Sequence, residues 1–303
     1  MPMFELEAVA TDGRPLGVKL ELPEGQPRAV VLLVHGMQEH SGRYGELGLH
    51  LAARQLVLAT FDLRGHGERA LQDGPGELGP RGCEQLLEDL ETIALALQGR
   101  YPGLPLVLFG HSFGSFLAQG FAQRRGDLLA GLVLSGSGGF QRGLASGLLL
   151  ARAWTALRGP KRPAGLLQYL AVGHFDGPPW ATPTRAWITS DPVRRQAYLD
   201  DPACGGLFPN GFFVQLLTLL TQIWNPANER RLPRGLPVLM FSGKRDPVGF
   251  FGRGPKALAR RYASLDLPVT LHLYPDARHE CLNERNREQV LADLDRLFDE
   301  VLS

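Results

Sequence analysis

Cysteines are scarce in this sequence and are not grouped. Its three cysteines, Cys83, Cys204 and Cys281, are odd in number and far apart. A disulfide framework shows paired cysteines at regular spacings, and a cysteine-based metal site shows a C-x-x-C pair. Because neither pattern is present, we predict a protein of a reducing compartment, the cytoplasm.

An excess of charge of one sign is also lacking. Lys and Arg number 32, Asp and Glu number 31, and the formal net charge is +1. Nucleic acids and anionic membranes are commonly bound by a basic surface. The balanced charge predicts no nucleic-acid partner and no general attraction to an anionic membrane. Binding specificity is therefore expected to come from a pocket.

Long apolar runs are missing as well. A membrane-spanning helix needs roughly 20 consecutive apolar residues, and no run in this sequence approaches that length. The first five residues, MPMFE, lack the basic and apolar segments of a secretory signal. The sequence therefore predicts a soluble, intracellular protein without a transmembrane segment.

Patterns for metal and nucleotide binding are absent or lie in the wrong context. The sequence has no H-E-x-x-H and no Walker motif. Residues 74–79 match G-x-G-x-x-G, but no predicted strand precedes them and Pro75 lacks the amide that a phosphate would need. We expect neither a metal nor a cofactor.

A pentapeptide with the pattern G-x-S-x-G is the most informative feature that is present. It runs from Gly110 to Gly114, after the apolar run 104–109 and before a helix-like stretch, 115–125. Glycines two residues before and after Ser112 permit a sharp strand-to-helix turn that exposes the serine at its tip. Ser112 is therefore the candidate nucleophile.

Strands and helices alternate on both sides of this motif. Apolar runs predict buried strands, and segments with apolar residues at helical spacing separate them. An antiparallel hairpin is predicted at the start, with a turn at residues 11–15. The alternation predicts an α/β fold with a mainly parallel sheet covered on both faces. The predicted strands are 4–10, 16–22, 29–34, 56–61, 104–109, 131–134, 237–241 and 269–274, and the predicted helices outside the interruption described next are 44–54, 84–98, 115–125, 212–223, 255–262 and 285–302.

The alternation stops between residues 140 and 204. This segment contains no recognisable strand but an apolar helix, 144–157, a short apolar piece, 166–172, and a helix capped by Ser190. Some sixty residues are too many for a simple connection. We predict a helical cap, residues 140–204, inserted into a core of residues 1–139 and 205–303. We call residues 140–204 the cap segment.

A serine nucleophile needs an imidazole base, and the base needs a carboxylate that orients it. On a parallel sheet these groups follow the serine on loops at the carboxyl ends of later strands. His279 follows the last predicted strand, whereas His272 lies inside it. Asp246 occupies the equivalent loop one strand earlier, and Asp276 competes with it because it lies three residues before the histidine. The position favours Asp246 and His279.

The negative charge of the reaction intermediate needs backbone N–H donors, called an oxyanion hole. One donor is the residue after the nucleophile, Phe113, and the other follows an earlier strand, where Met37 lies. His35 and His111 flank these positions, and we interpret both as structural residues that hydrogen-bond neighbouring loops.

Five stretches in this order resemble the α/β-hydrolase superfamily, and within it the branch of monoacylglycerol lipases, lysophospholipases and the serine aminopeptidase S33 group. They span nearly the whole chain outside the cap segment. The matching stretches are 35–44 (HGMQEHSGRY), 62–67 (DLRGHG), 110–114 (GHSFG), 242–249 (SGKRDPVG) and 274–280 (YPDARHE).

The resemblance implies a triad of Ser112, Asp246 and His279 and the same oxyanion donors. It also implies that Glu39 and Arg43 lie near the polar end of the pocket and bind substrate, although a local ion pair that holds the loop explains them equally well. The expected activity is hydrolysis of a lipid ester, such as a monoacylglycerol or a lysophospholipid, without a cofactor.

Three alternatives stay open at this stage. The same triad serves small-ester carboxylesterases and peptidases, and a hydrolase scaffold can also act as a silent ligand receptor. The apolar cap segment also suggests transient contact with a membrane surface, although a lid packed on the sheet explains it as well.

Overall fold

Within the part of the chain that the structure describes, the sheet has eight strands, of which the last six in spatial order run parallel. In a computed structural model, which describes residues 3–67, 70, 74–139, 141, 143–180 and 182–302, the spatial order is β1-β2-β4-β3-β5-β6-β7-β8. The pairs β1–β2 and β2–β4 are antiparallel, and the other pairs are parallel. The strands are β1 (Met3–Leu6), β2 (Val18–Glu21), β3 (Ala29–Val34), β4 (Leu56–Thr60), β5 (Leu106–His111), β6 (Gly131–Ser135), β7 (Val238–Gly243) and β8 (Val269–Tyr274).

Helices cover both faces of the sheet, as the continuously apolar strands require. Alternate residues of β3 point into two separate cores: Val30 packs in one core and Val31 in the other. The first core includes side chains of α2, α3, α7 and α9, and the second includes side chains of α1 and α10. The helices are α1 (Gly45–Ala53), α2 (Cys83–Arg100), α3 (Phe113–Arg125), α4 (Leu144–Arg158), α5 (Gly165–Ala171), α6 (Pro192–Asp200), α7 (Asn210–Ile223), α8 (Pro226–Glu229), α9 (Arg253–Ala263) and α10 (Arg287–Val301).

The predicted interruption of the alternation lies between β6 and β7. In the described part of the cap segment we find helices α4, α5 and α6 and no strand, and α4 packs against α7 of the core. The proposed boundary residue Phe140 lies outside the described residues. The cap segment reaches the carboxyl ends of the strands, since Leu170 and Trp187 share a pocket with the β5–α3 turn.

Two local predictions need correction. The N-terminal hairpin exists, but its strands are shorter than predicted, and an isolated bridge between Val9 and Pro15 closes the turn end. The N-cap of α6 is Asp191 rather than Ser190. The Asp191 side chain accepts hydrogen bonds from the amides of Val193 and Arg194, whereas the Ser190 hydroxyl donates to Glu284 instead.

No described helix is both long and apolar enough to cross a membrane.

Candidate active site

Ser112 occupies the turn between β5 and α3 in a backbone conformation that few side chains adopt. Its φ is 49°, and its amide donates to the carbonyl of Ser135 at 2.9 Å. The flanking glycines are required by close approach: a Cβ at Gly114 would lie 2.1 Å from the carbonyl oxygen of Val34, and one at Gly110 would lie 2.5 Å from that of Gly114. The predicted sharp strand-to-helix turn is therefore observed.

His279 and Asp246 form a buried pair in loops after β8 and β7. Nδ1 of His279 lies 3.0 Å from Oδ2 of Asp246, whose other oxygen accepts from the amide of Val248 at 2.9 Å. Ser242 donates a further hydrogen bond to Oδ2 at 3.1 Å. The carboxylate is thus held by donors on both oxygens, as an orienting group must be.

Two opposing effects set the pKa of His279. Burial disfavours the charged imidazolium, but the Asp246 carboxylate stabilises it through charge and a hydrogen bond, and the pKa ends above its usual value of 6.5. A base with a pKa above 6.5 is suited to accept a proton near neutral pH.

Ser112 and His279 line the same pocket. Among the described residues no hydrogen bond joins their side chains, and catalytic hydrogen bonds of this kind often tighten only when substrate is bound. The loop of Gly36 closes the opposite side, because a Cβ there would lie 3.1 Å from the Cβ of Ser112.

The two competing residues lie elsewhere. Asp276 is exposed and pairs with Arg245 at 2.8 Å. His272 lies within β8, where its Nδ1 is 3.4 Å from Asp293 of α10. Ser112 and His279 line one pocket and Asp246 contacts His279, whereas neither competitor lines that pocket.

The two predicted oxyanion donors line the pocket on either side of Ser112. Phe113 is the first residue of α3, where amides lack partners within the helix, and Met37 lies in the loop after β3. Of the neighbouring histidines, His35 accepts from the amide of Leu63 in a neighbouring loop at 3.0 Å, as predicted. His111 contacts the hydroxyl of Ser135 in β6 at 3.0 Å and also lines the pocket.

Gln38 lines the pocket, and the sequence interpretation did not single it out. Its φ is 63°, and such a conformation persists only where neighbours hold it. The cap segment supplies one neighbour: the carbonyl of Gln38 accepts from the Tyr198 hydroxyl at 2.9 Å. It also accepts from the amide of Gly205 at 2.9 Å. These hydrogen bonds fix the backbone next to Met37, and no local sequence pattern predicts them.

Glu39 and Arg43 belong to a buried ionic network. Arg43 contacts Glu39 at 2.5 Å and binds both carboxylate oxygens of Glu280 at 2.8 Å. Glu39 also accepts from the amide of Gly36 at 2.5 Å and from the Tyr44 hydroxyl at 2.9 Å. One arginine therefore joins the oxyanion loop to the residue that follows His279.

The charges in this network are strongly stabilised. Burial alone would raise the pKa of Glu39, but Arg43 and nearby histidines lower it to about 2. The pKa of Glu280 is also lowered, because Arg43 outweighs the cost of burial. Glu39 and Glu280 line the pocket, whereas Arg43 lies behind them and lines a different cavity. Glu280 was not among the predicted site residues.

Trp187 of the cap segment covers the base. Its ring centroid lies 5.4 Å from that of His279, and its carbonyl accepts from the His279 amide at 3.4 Å. The next residue, Ile188, accepts from the amide of Glu280 at 2.7 Å. This part of the cap segment is therefore fixed to the loop of the base.

The pocket has a polar floor and apolar walls. Its volume is about 320 Å³. Ser112, His279 and the two carboxylates form the floor, and the walls are apolar residues of the cap segment and α7. The apolar wall residues include Leu170, Val172, Phe175, Leu216, Leu217 and Leu220.

Among the described residues, one group of possible metal ligands lies outside the pocket. His40, Asp201 and Cys204 each place a ligand atom within 4.8 Å of the others. Both ring nitrogens of His40 already have partners: Nε2 lies 2.8 Å from Asp201, and Nδ1 accepts from the amide of Gly42. We therefore interpret this group as a contact between the core and the cap segment.

Sequence comparison supports the assignment that this geometry suggests. The family described as serine aminopeptidase, S33, matches residues 25–286. The chain is 29% identical to a monoacylglycerol lipase of Mycolicibacterium smegmatis over 90% of this chain and 88% of that protein. It is also 29% identical to the human monoglyceride lipase, over 89% of this chain and 82% of that protein.

Structural comparison agrees. The crystal structure of a thermostable carboxyl esterase from Bacillus coagulans, in complex with glycerol, superposes with a TM-score of 0.90 over 100% of both chains at 28% identity. The fold is that of the α/β-hydrolases. Within it, the chain belongs to the serine aminopeptidase S33 family. The predicted enzyme class, a serine hydrolase of carboxylic esters, is confirmed.

Proposed function

We propose that the enzyme hydrolyses a monoacylglycerol through an acyl-enzyme on Ser112. The observation that carries this proposal is the pocket in which Ser112 and the buried His279–Asp246 pair meet a floor of carboxylates and apolar walls. The names of the relatives agree with this choice of substrate.

In the first step the Ser112 hydroxyl attacks the ester carbonyl while Nε2 of His279 takes its proton. Asp246 keeps the other proton on Nδ1 and stabilises the imidazolium. The amides of Met37 and Phe113 donate to the oxyanion. The intermediate collapses when His279 returns its proton to the departing glycerol oxygen.

In the second step His279 removes a proton from a water molecule, which attacks the acyl carbonyl. The bond to Ser112 breaks, the serine oxygen regains its proton, and a fatty acid is released. No cofactor takes part in either step.

The charge of the pocket favours a neutral alcohol. Glu39 and Glu280 line it, and the described lining contains no Lys or Arg. Carboxylates accept hydrogen bonds from hydroxyl groups, whereas they repel a phosphate. We therefore place glycerol hydroxyls near these carboxylates and rank a monoacylglycerol above a lysophospholipid. Arg43 supports this site by holding both carboxylates rather than by contacting the substrate.

The acyl chain is assigned to the apolar walls, so the cap segment sets chain length. We propose that residues 140–204 act as a cap inserted into the hydrolase core and that this cap touches membranes transiently. We also propose a cytoplasmic enzyme, because Cys83, Cys204 and Cys281 are free thiols. Cell fractionation tests the location.

A substrate panel tests the function. We expect turnover of monoacylglycerols with chains of about eight or more carbons, a size that suits a pocket of this class. Lysophosphatidic acid should be a poor substrate. Peptide amides in the panel test for peptidase activity, and hydrolysis of amides in preference to esters would overturn the proposal. The absence of turnover on every substrate would favour a receptor.

One variant tests the assigned acyl site. Leu217→Trp fills part of the apolar wall, so it should slow long-chain esters about 10- to 100-fold, the scale at which apolar pockets discriminate, and spare the acetate ester. Leu199→Trp, on the exposed side of α6, is the control. Equal loss on acetate and on long chains would place the acyl chain elsewhere.

A further inference from the structure

The loop after β3 carries the proposed oxyanion donor Met37, and the core fixes one end of the peptide that contains its amide. Among the described residues this amide has no hydrogen-bond acceptor, so it is free to bind an oxyanion. The carbonyl of Gly36 belongs to the same peptide. Burial lowers the pKa of His35, and in the neutral ring Nε2 accepts from Leu63 while Nδ1 donates to the Gly36 carbonyl at 2.8 Å. Because a peptide is planar, holding its carbonyl also directs its N–H.

The cap segment and the two residues after it hold the next residue of the loop, Gln38, through four hydrogen bonds. The Gln38 carbonyl accepts from the Tyr198 hydroxyl and from the amide of Gly205, both at 2.9 Å. The side-chain Nε2 donates to the carbonyl of Gly205 at 3.2 Å and to that of Gly206. Tyr198 lies in α6, and the two glycines directly follow the cap segment. We call these four hydrogen bonds the Gln38 bridge.

Gln38 adopts a conformation that a glycine would adopt at lower cost. Its φ is 63°, and this region costs a residue other than glycine on the order of 1 kcal/mol or more. Gln55 has a similar φ, 61°, in the turn after α1, but its backbone hydrogen bonds go to Ala52 and Arg28 rather than to the cap segment. The two side-chain hydrogen bonds of Gln38 offset part of this cost, and they exist only while residues 205–206 are docked on the loop.

Tyr198 is itself held in place by the ionic network at the floor of the pocket. Its side chain is buried, and the Arg43 guanidinium lies over its ring, 4.9 Å from the centroid. Arg43 also pairs with Glu39, whose Oε1 accepts from the amide of Gly36. The Tyr198 hydroxyl and the ionic network therefore act on neighbouring residues of one loop, so the core and the cap segment hold this loop together.

We propose that the Gln38 bridge makes the oxyanion hole depend on the cap segment. Gln38 and Tyr198 are positioning residues, which act on the reacting oxygen through the Met37 amide. Hydrolysis then requires residues 205–206 to be docked on the loop, and a cap segment that moves away withdraws the donor. The proposal rests on the proposed function for the roles of Ser112 and Met37, but not for the identity of the lipid ester.

Steady-state hydrolysis of p-nitrophenyl butyrate tests the bridge. Gln38→Gly keeps the positive φ accessible but deletes the side-chain hydrogen bonds, and Tyr198→Phe deletes one hydroxyl. Complete loss of an oxyanion donor lowers kcat about 10²–10³-fold, and a donor that is only misdirected should cost less. We therefore expect kcat to fall about 10-fold in each variant while KM stays within about twofold, because the oxyanion charge develops only in the transition state.

Two controls and a double variant separate the bridge from general effects on the protein. Gln55→Gly makes the same exchange at a similar φ, and Tyr101→Phe removes a hydroxyl at the end of α2. Neither position lines the catalytic pocket, so both variants should keep the wild-type kcat. Changes that act on the same loop are not additive, so Gln38→Gly combined with Tyr198→Phe should lower kcat clearly less than about 100-fold. If Gln38→Gly does not fold, Tyr198→Phe alone decides.

A transition-state analogue provides a measurement that a merely loosened pocket would not reproduce. When Ser112 adds to the carbonyl carbon of an alkyl trifluoromethyl ketone, its proton passes to His279, the C=O double bond becomes a C–O⁻ single bond, and this oxygen occupies the oxyanion hole. The inhibition constant of the ketone should rise about 10-fold in both bridge variants, in step with the fall in kcat. The corresponding trifluoromethyl carbinol fills the same pocket without forming an oxyanion, and its inhibition constant should stay unchanged.

Several outcomes overturn the proposal. These are an unchanged kcat in Tyr198→Phe, an effect confined to KM, losses that multiply in the double variant, equal losses of affinity for ketone and carbinol, or an equal fall of kcat in Gln55→Gly. Activity that survives in Ser112→Ala would overturn the proposed nucleophile, and the role of the bridge with it. If the bridge variants behave as expected on the butyrate ester but monoacylglycerol is not hydrolysed, only the proposed function fails.

Discussion

The floor of the pocket and the cap segment differ in how deeply their side chains are buried. On the floor, His279 and Glu39 are almost fully buried, as is Asp246 behind His279, and each has assigned hydrogen-bond partners. In the cap segment, α4 buries only Leu148 and Ala151 among its described residues, and α5 buries none. The comparison teaches that the two regions are supported differently: buried hydrogen bonds hold the groups of the floor, whereas α4 and α5 of the cap segment leave most of their side chains at least partly exposed.

The largest expected effect comes from the floor. Ser112→Ala removes the nucleophile, and kcat should fall about 10⁶-fold, as it does when a triad serine is lost elsewhere. A fluorogenic ester measures the rate, and a fluorophosphonate probe should no longer label the protein. Ser264→Ala, at an exposed site, is the control. Labelling that survives in Ser112→Ala would show that another residue is the nucleophile.

Asp246→Asn should cost about 10⁴-fold in kcat, because the orienting carboxylate is lost. The dependence of activity on pH provides a second test of this assignment. The base must be neutral, so activity should rise with pH through the pKa of His279, which Asp246 keeps above 6.5. Without this carboxylate, the rise should move to lower pH. Asp276→Asn is the matched control, and a comparable loss there would contradict the assignment of Asp246.

The substitution Arg43→Met tests whether the buried ionic network at the floor stabilises the protein. The change leaves Glu39 and Glu280 without their shared cation, and unpaired buried charges of this kind cost about 3–5 kcal/mol of unfolding free energy. Denaturant unfolding at pH 7 measures the loss. Arg245→Met breaks the exposed pair with Asp276 and should cost less than about 1 kcal/mol. Similar costs for both would mean that the network is not stabilising.

The same variant predicts a change in acid stability. The pKa of Glu39 is depressed from 4.5 to about 2, so its contribution to stability is present above pH 4.5 and is lost as the pH falls toward 2. The wild-type protein should therefore lose stability over this window, and Arg43→Met should show a smaller loss. Thermal unfolding from pH 7 to pH 3 measures it, and parallel curves would count against the ion pair.

The smallest effect is expected in the cap segment. Asp191→Ala removes the N-cap of α6 and should lower the unfolding free energy by about 1 kcal/mol. Asp200→Ala, at the other end of the same helix, is the control. A loss as large as that of Arg43→Met would show that the cap segment is as tightly built as the floor.

Much of the fold was predictable because its signals are local. Continuous apolar runs such as 29–34 mark buried strands, and the glycines around Ser112 mark a turn that other residues cannot make. The preference for Asp246 and His279 followed from the rule that loops at the carboxyl ends of parallel strands meet at one edge. Their catalytic roles remain a prediction until the variants are measured.

The remaining features depend on contacts between distant segments. Glu280 could not be recognised as a partner of Arg43, since 237 positions separate them. No local sequence pattern predicts the positive φ of Gln38, because the hydrogen bonds that hold this residue come from Tyr198 and Gly205. The N-cap of α6 was misplaced by one residue, since Ser190 and Asp191 are both good caps and Glu284 binds the serine.

The order of the strands also bears on how the enzyme is made. Ser112 follows the fifth strand along the chain, whereas Asp246 and His279 follow the seventh and eighth. Domains are synthesised from the N-terminus at about 5–20 residues per second. A nascent chain therefore carries its serine for several seconds before an acid or a base exists. Under the proposed roles, the nascent enzyme cannot be active until synthesis has passed His279.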